Sequence, residues 1–234
     1  MSDMPYSRIG TSFCKTVQVP TINNQFNEVL IKWDVSTIIQ DHGRKYLDDI
    51  PKYHGKICFP NHFNYSKEIH GFYNTYSPLK YKPQNGEVKN TLLFFKHIFG
   101  SQFELGLDYF KLLYEHPSQI LPVLCLVSKE RSTGKSSFLK YLKEVFGHNM
   151  SYLDSHSLNS NFNLDWGNKL LLALDESFLQ KEEITEKRKY LSTSNKNKIE
   201  AKGKERFEVD FFGKFIMCSN KEDSFIKIDS DETR

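Results

Sequence analysis

ILPVLCLVSKERSTGKSSFLKYLKEVFG, residues 120–147, is the stretch whose reading decides the fold. It opens with an apolar run, ILPVLCLVS (120–128), of a length that suits a strand buried on both faces. It closes with SSFLKYLKEVFG (136–147), which sets Phe138, Leu139, Leu142, Val145 and Phe146 on one helical face, with Gly147 as a stop. Between them lies Lys129-Glu130-Arg131-Ser132-Thr133-Gly134-Lys135-Ser136. A loop that enters a helix N-terminus in this way turns backbone N–H groups toward an anion. Gly134, Lys135 and Ser136 supply the second half of the pattern GxxxxGK[ST], in which the lysine reaches the outer phosphates of a nucleotide and the hydroxyl serves Mg²⁺. The first glycine of that pattern falls at Lys129 and is absent. Ser132, Thr133, Gly134, Lys135, Ser136 and Ser137 are therefore the expected nucleotide-binding residues.

Downstream, NKLLLALDES (168–177) reads as a second buried strand that carries Asp175 and Glu176 to its tip. Nucleotide hydrolysis needs one carboxylate at the metal and one to polarise the attacking water, and Asp175 and Glu176 fit those roles in that order. KFIMCSN (214–220) is a third strand, ending in Asn220, a side chain able to hydrogen-bond a terminal phosphate. Strands that alternate with helices and end in polar groups predict an α/β fold with a mainly parallel sheet and a ligand at its carboxyl edge. Residues 181–206 hold nine Lys or Arg against five Glu, a net charge of +4 where the whole chain has +3. Within that region KIEAKGKERFEV (198–209) alternates as a hairpin does, with Lys202 and Lys204 at the turn, placed to touch the phosphates of a single strand.

Upstream, TLLFFKHIFG (91–100) and FELGLDYFKLLYEH (103–116) have helical apolar spacing. Residues 51–90 are rich in Pro, Gly, Asn, Tyr and His and read as loops with short elements. The expected organisation is a loop-rich region over 1–90, a helical unit over 91–118 and a nucleotide-binding domain over 119–234. Four scattered cysteines form no CxxC pair, Cys125 and Cys218 read as buried thiols, and no apolar run approaches a membrane span. A reducing cytoplasmic setting, or a host's cytoplasm, follows. His54, Cys58, His62 and His70 match no zinc module and read as packing or surface residues.

In this order, SKERSTGKSS, LLLALDES, KIEAKGKERFEV and KFIMCSN resemble the motifs of superfamily 3 helicases, AAA+-related ring motors of viruses, phages and plasmids. YNTYSPL (73–79), followed by a helical segment, resembles the phage and poxvirus-type primase–helicase branch. The resemblance covers residues 73–234. It implies a P-loop NTPase core using ATP and Mg²⁺, with Ser136 and Asp175 at the metal and Lys135, Glu176 and Asn220 around the triphosphate. It further implies single-stranded DNA at Lys202 and Lys204, a homo-hexamer in the full-length protein, a primase partner or fused primase domain, and no membrane. The C-terminal SDETR resembles the segment that carries the family's arginine finger, so Arg234 is the finger candidate and the domain is expected to be truncated beyond it. Two other classes remain open. One is a nucleotide-binding protein that binds DNA or serves assembly, with weak or no hydrolysis. The other is a phosphotransferase, against which stands the lack of any arginine in residues 148–167.

Overall fold

The computed structural model describes residues 4–20, 22, 26–154, 166–174, 196–199 and 207–220. The chain forms two compact units, one of Met1–Phe59 with Ser66–Thr75, the other of Pro60–Tyr65 with Tyr76–Arg234.

The first unit contains more regular structure than its composition suggests. Strands β1 (Tyr6–Ile9), β2 (Ser12–Pro20), β3 (Phe26–Lys32) and β4 (Lys52–Tyr53) form a sheet in the order β3-β2-β1-β4. A three-stranded sheet follows, in the order β5-β7-β6, from β5 (Lys56–Ile57), β6 (Glu68–Ile69) and β7 (Phe72–Asn74). Helices α1 (Val35–His42) and α2 (Tyr46–Asp49) lie between β3 and β4 in the chain. Asp34 starts α1 by accepting the Ser36 N–H at 2.9 Å, the usual way of satisfying an orphan donor at a helix start. One core gathers Tyr6, Ile38 and Ile50 with Trp33 and Tyr46; another gathers Ile9, Cys14 and Tyr73 with Leu30. The region expected to be loop-rich thus holds a seven-residue and a nine-residue strand.

The second unit is α/β. Its sheet is wholly parallel, in the order β8-β13-β10-β9, from β8 (Leu124–Val127), β9 (Met150–Leu153), β10 (Leu171–Leu174) and β13 (Lys214–Ser219). This is compatible with a Rossmann or P-loop-like core. β10 and β13 are buried at every residue, which explains the apolar LLAL of β10 and the apolar FIMC between Lys214 and Ser219 of β13. β8 differs from expectation. Among the described residues it stands at the sheet's edge, with a strand on one side alone, and it buries only Leu126 and leaves Cys125 exposed. Helices α3 (Lys89–Phe99) and α4 (Phe103–Glu115) occupy the predicted helical stretches. They close on α5 (Lys135–Phe146) through aromatic rings, with Phe138 of α5 meeting Phe94, Phe95, Phe99 and Phe110 at centroid distances of 5.3–5.8 Å. Gly106 is required here, since a Cβ on it would lie 2.6 Å from the Phe99 ring. β11 (Lys196–Ile199) and β12 (Phe207–Asp210) pair antiparallel, with Ile199 opposite Phe207, so the strands of the predicted hairpin are present and residues 200–206 connect them.

Tyr76 and Ser77, from the YNTYSPL stretch, are fastened to this unit. Asn149 accepts the Ser77 N–H at 3.1 Å and donates to its carbonyl at 2.8 Å. His62 has both ring nitrogens engaged, with the Tyr114 carbonyl and the Tyr76 hydroxyl, each at 2.7 Å. Lys214, at the start of β13, is almost fully buried. Its ammonium donates to the carbonyls of Pro117 and Phe212. Burial lowers its pKa to about 7, because a cation is poorly solvated there.

That depressed value makes stability depend on pH. Between about 7 and the ordinary lysine value the unfolded chain holds one more proton than the folded one, so stability rises with pH across that window. The thermal midpoint of wild type should therefore climb from neutral to alkaline pH relative to Lys214→Met, which has no charge to lose. Parallel pH–stability curves for the two proteins would discard this account.

Candidate functional site

The parallel sheet gives all four strands a common carboxyl edge, and the loop of residues 128–134 joins β8 to α5 along it. Past the last β8–β13 pair, Val127 with Ser219, the Ser128 N–H donates to the Ser219 carbonyl at 3.2 Å. The loop is thus tied to the tip of β13. Between them opens a cavity of about 410 Å³, lined by residues 131–137 and 218–220. Ser132, Thr133, Gly134, Lys135, Ser136 and Ser137 all line it, and so does Asn220. Two residues that the sequence did not single out line it as well: Arg131, a second cation in the loop, and Ser219. Among the described residues the charged groups that line it are Arg131 and Lys135.

The loop's backbone is bent to meet the helix. Ser132 has φ 60°, and His70 is the one other non-glycine with positive φ among the described residues. Gly134, the N-cap of α5, has φ 90° and ψ −4°. As a glycine the N-cap brings no side chain to the helix start, and the first intrahelical bond runs from Phe138 N–H to the Gly134 carbonyl at 2.8 Å. The N–H groups of the first turn thus sit at the positive end of the helix dipole, beside the cavity. Lys135 folds its ammonium back over the loop, donating to Thr133 Oγ1 at 3.0 Å and to the Glu130 carbonyl at 3.4 Å. From α3, His97 Nε2 lies 3.1 Å from the Thr133 carbonyl and packs beside Gly134. Local sequence carries no sign of this contact, since His97 is 36 residues from Thr133.

Asp175, Glu176, Lys202, Lys204 and Arg234 lie outside the described residues. Leu174, immediately before Asp175 in the chain, ends β10 opposite Met217 of β13. β13 therefore stands between the strand that leads into the loop and the strand that leads to the two acids. Among the described residues no group of His, Cys, Asp or Glu forms a metal site, and no helix is long and apolar enough to cross a membrane.

With this geometry established, comparison with known proteins adds three findings. A family model described as a family of unknown function (DUF5906) matches residues 126–234, less than half of the chain. No curated protein sequence matches. Among solved structures the chain is similar to the apo C-terminal region of NrS-1 (residues 305–718), with a TM-score of 0.68 and 18% identity over 98% of this chain and 57% of that one. A second apo structure of that region, its A form, gives a TM-score of 0.70 at 18% identity, over 98% of this chain and 56% of that one. The chain thus spans little more than half the length of the structures it matches, and at this identity the likeness is one of fold.

Gly134 allows a direct test of the loop geometry. A Cβ at φ 90° would be strained and would lie 3.2 Å from Ile98 Cδ1. Gly134→Ala should cost about 1–2 kcal/mol in denaturant unfolding. Ser132→Gly, which removes the side chain from a left-handed residue, should show no such loss. Equal effects of the two changes would contradict the loop conformation described.

Proposed function

We propose that the chain is the motor part of an ATP-dependent replicative DNA helicase that moves along single-stranded DNA. The observation that carries this reading is the cavity at the sheet's carboxyl edge, where the α5 N-terminus, Lys135 and Arg131 face the tip of β13. Such a site suits a polyanion, and strand–loop–helix is the setting that GKS needs to hold a nucleotide's phosphates.

In this reading the N–H groups of Gly134, Lys135 and Ser136 bind the phosphates. The Lys135 ammonium exchanges its contacts with Thr133 and Glu130 for the outer phosphate oxygens. Magnesium would be held by the Ser136 hydroxyl and Asp175, and it supplies neutralisation of phosphate charge. Glu176 orients and deprotonates the attacking water, and Asn220 hydrogen-bonds the terminal phosphate. Arg131 adds positive charge at the mouth of the cavity. Arg234 reaches a neighbour's site in a ring of six, where it stabilises charge developing on the transferred phosphoryl group. Lys202 and Lys204 are the middle lysines of the seven residues joining β11 to β12, and they bind the backbone of single-stranded DNA. A primase partner or fused primase domain supplies priming.

Magnesium-dependent ATP binding and turnover, with and without single-stranded DNA, test the proposal. Wild type should bind ATP and hydrolyse it faster with DNA. Lys135→Ala should lose at least about a hundredfold in turnover, a scale set by removing a charged phosphate contact in the transition state. Binding without turnover under any condition would favour the non-hydrolysing assembly protein, and absence of ATP binding would remove the motor reading altogether.

The hairpin assignment has a separate check. Replacing both Lys202 and Lys204 with Ala should leave ATP affinity unchanged while weakening DNA binding and lowering its salt slope by about 1.4, or about 0.7 for each lost phosphate contact on a single strand. DNA affinity and stimulation equal to wild type would move the DNA site elsewhere.

A further inference from the structure

β3 is the edge of the first unit's main sheet, and six of its seven residues, FNEVLIK, are exposed. The Trp33 N–H donates to the Phe13 carbonyl at 2.9 Å, just beyond the Cys14–Lys32 pair. Antiparallel ladders alternate, so this bond fixes which groups of β3 turn inward. Asn27, Val29 and Ile31 address β2, whereas Phe26, Glu28, Leu30 and Lys32 turn their N–H and C=O groups to the open edge. Among the described residues no strand pairs with that edge. The strand has no proline and holds two charges, Glu28 and Lys32, on its outward-bonding set. An uncovered edge of this kind is a template for another strand.

The charges choose the strand. When β3 pairs antiparallel with β3 of a second copy through outward-bonding residues, only certain registers are available. Centring on Glu28 opposes two carboxylates, and centring on Lys32 opposes two ammonium groups. Setting Leu30 against Lys32 brings Glu28 against Asp34, and setting Glu28 against Leu30 leaves both charges without a counter-charge. Centring on Leu30 places Glu28 opposite Lys32 twice, once on each side of the two-fold axis. In that register Val29 of each copy meets Ile31 of the other on the opposite face. Val29 and Ile31, 37% and 40% exposed, then gain apolar neighbours. Parallel pairing in register would stack like charges. Opposite charges facing each other across an antiparallel pair stabilise it, and like charges destabilise it. The contact is isologous and closes on itself as a dimer.

We propose that two copies of this chain associate through their β3 edges, antiparallel and centred on Leu30, to make one continuous eight-stranded sheet. About six backbone hydrogen bonds, two for each outward-bonding pair, join the copies. The Glu28 carboxylate, which accepts a long 3.4 Å hydrogen bond from Gln18, takes the partner's Lys32 as its counter-charge. This inference does not depend on the ATP-linked reading, since no residue of the cavity takes part.

Sedimentation analysis of the full 234-residue chain over a wide concentration range tests it. Wild type should associate. Glu28→Lys and Lys32→Glu each turn two attractive pairs into two repulsive ones, and each should weaken association by about tenfold or more. The double charge swap, Glu28→Lys with Lys32→Glu, restores complementarity and should restore association. Both positions are exposed, and unchanged circular dichroism and melting confirm that each variant folds. A monomeric wild type, single variants that associate like wild type, or a double variant that fails to recover would each overturn the proposal.

Discussion

The burial of β13 between β8 and β10 is the constraint on which the second unit rests. A strand with neighbours on both sides and all six residues buried must satisfy its backbone entirely within the sheet. Its ladder to β8 holds Ile216 opposite Leu124 and continues to Ser219 opposite Val127. The loop that leaves β8 and the polar tip of β13 are consequently delivered to one place. Slippage by one residue would reverse the faces of Phe215 and Met217, which pack with Leu172, Leu174 and Trp166. The core therefore sets the geometry of the cavity.

Packing also sustains a loop conformation that local energetics disfavour. A non-glycine residue in the left-handed region costs about 1–3 kcal/mol, and Ser132 is such a residue. Against this stands Phe138, fully buried among the rings of α3, α4 and α5. Burial of a phenylalanine contributes about 1.5–3 kcal/mol, and each favourable ring pair adds about 0.5–1.5 kcal/mol. Anchoring α5 by its first turn outweighs the bend needed to reach it. The contact of His97 with the Thr133 carbonyl extends the same hold from α3 to the loop.

What the sequence made legible follows from these forces. β10, β13 and α5 stand out because full burial produces apolar runs, LLAL in β10 and FIMC in β13, and a one-sided helix produces a clear stripe. β2 and β3 are obscured because most of their residues are exposed or half-buried, so polar and apolar side chains alternate weakly. β9, MSYL, is too short to separate from its surroundings without its partner β10. Lys214 is beyond sequence reasoning, for nothing local shows a lysine satisfied by two carbonyls, one of them 97 residues away in the chain. The strand, the loop and the helix that carry GKS were legible as a pattern. The loop's company in space, Ser219 and Asn220 on one side and His97 on another, was legible only in part.

The departure at Lys129 is resolved by dihedral angle and not by residue type. Glycine is needed where φ is positive or where a Cβ has no room. Among the described residues, positive φ occurs in this loop at Ser132 and Gly134 and not at Lys129. Backbone conformation thus asks for no glycine at 129, and an exposed lysine is accommodated there. The demand for glycine falls instead on residue 134, where φ is 90° and Ile98 and His97 crowd the missing Cβ. A motif defined by spaced letters scores this loop as incomplete. The positions where the backbone bends show that the glycine retained is the one that the turn into α5 requires.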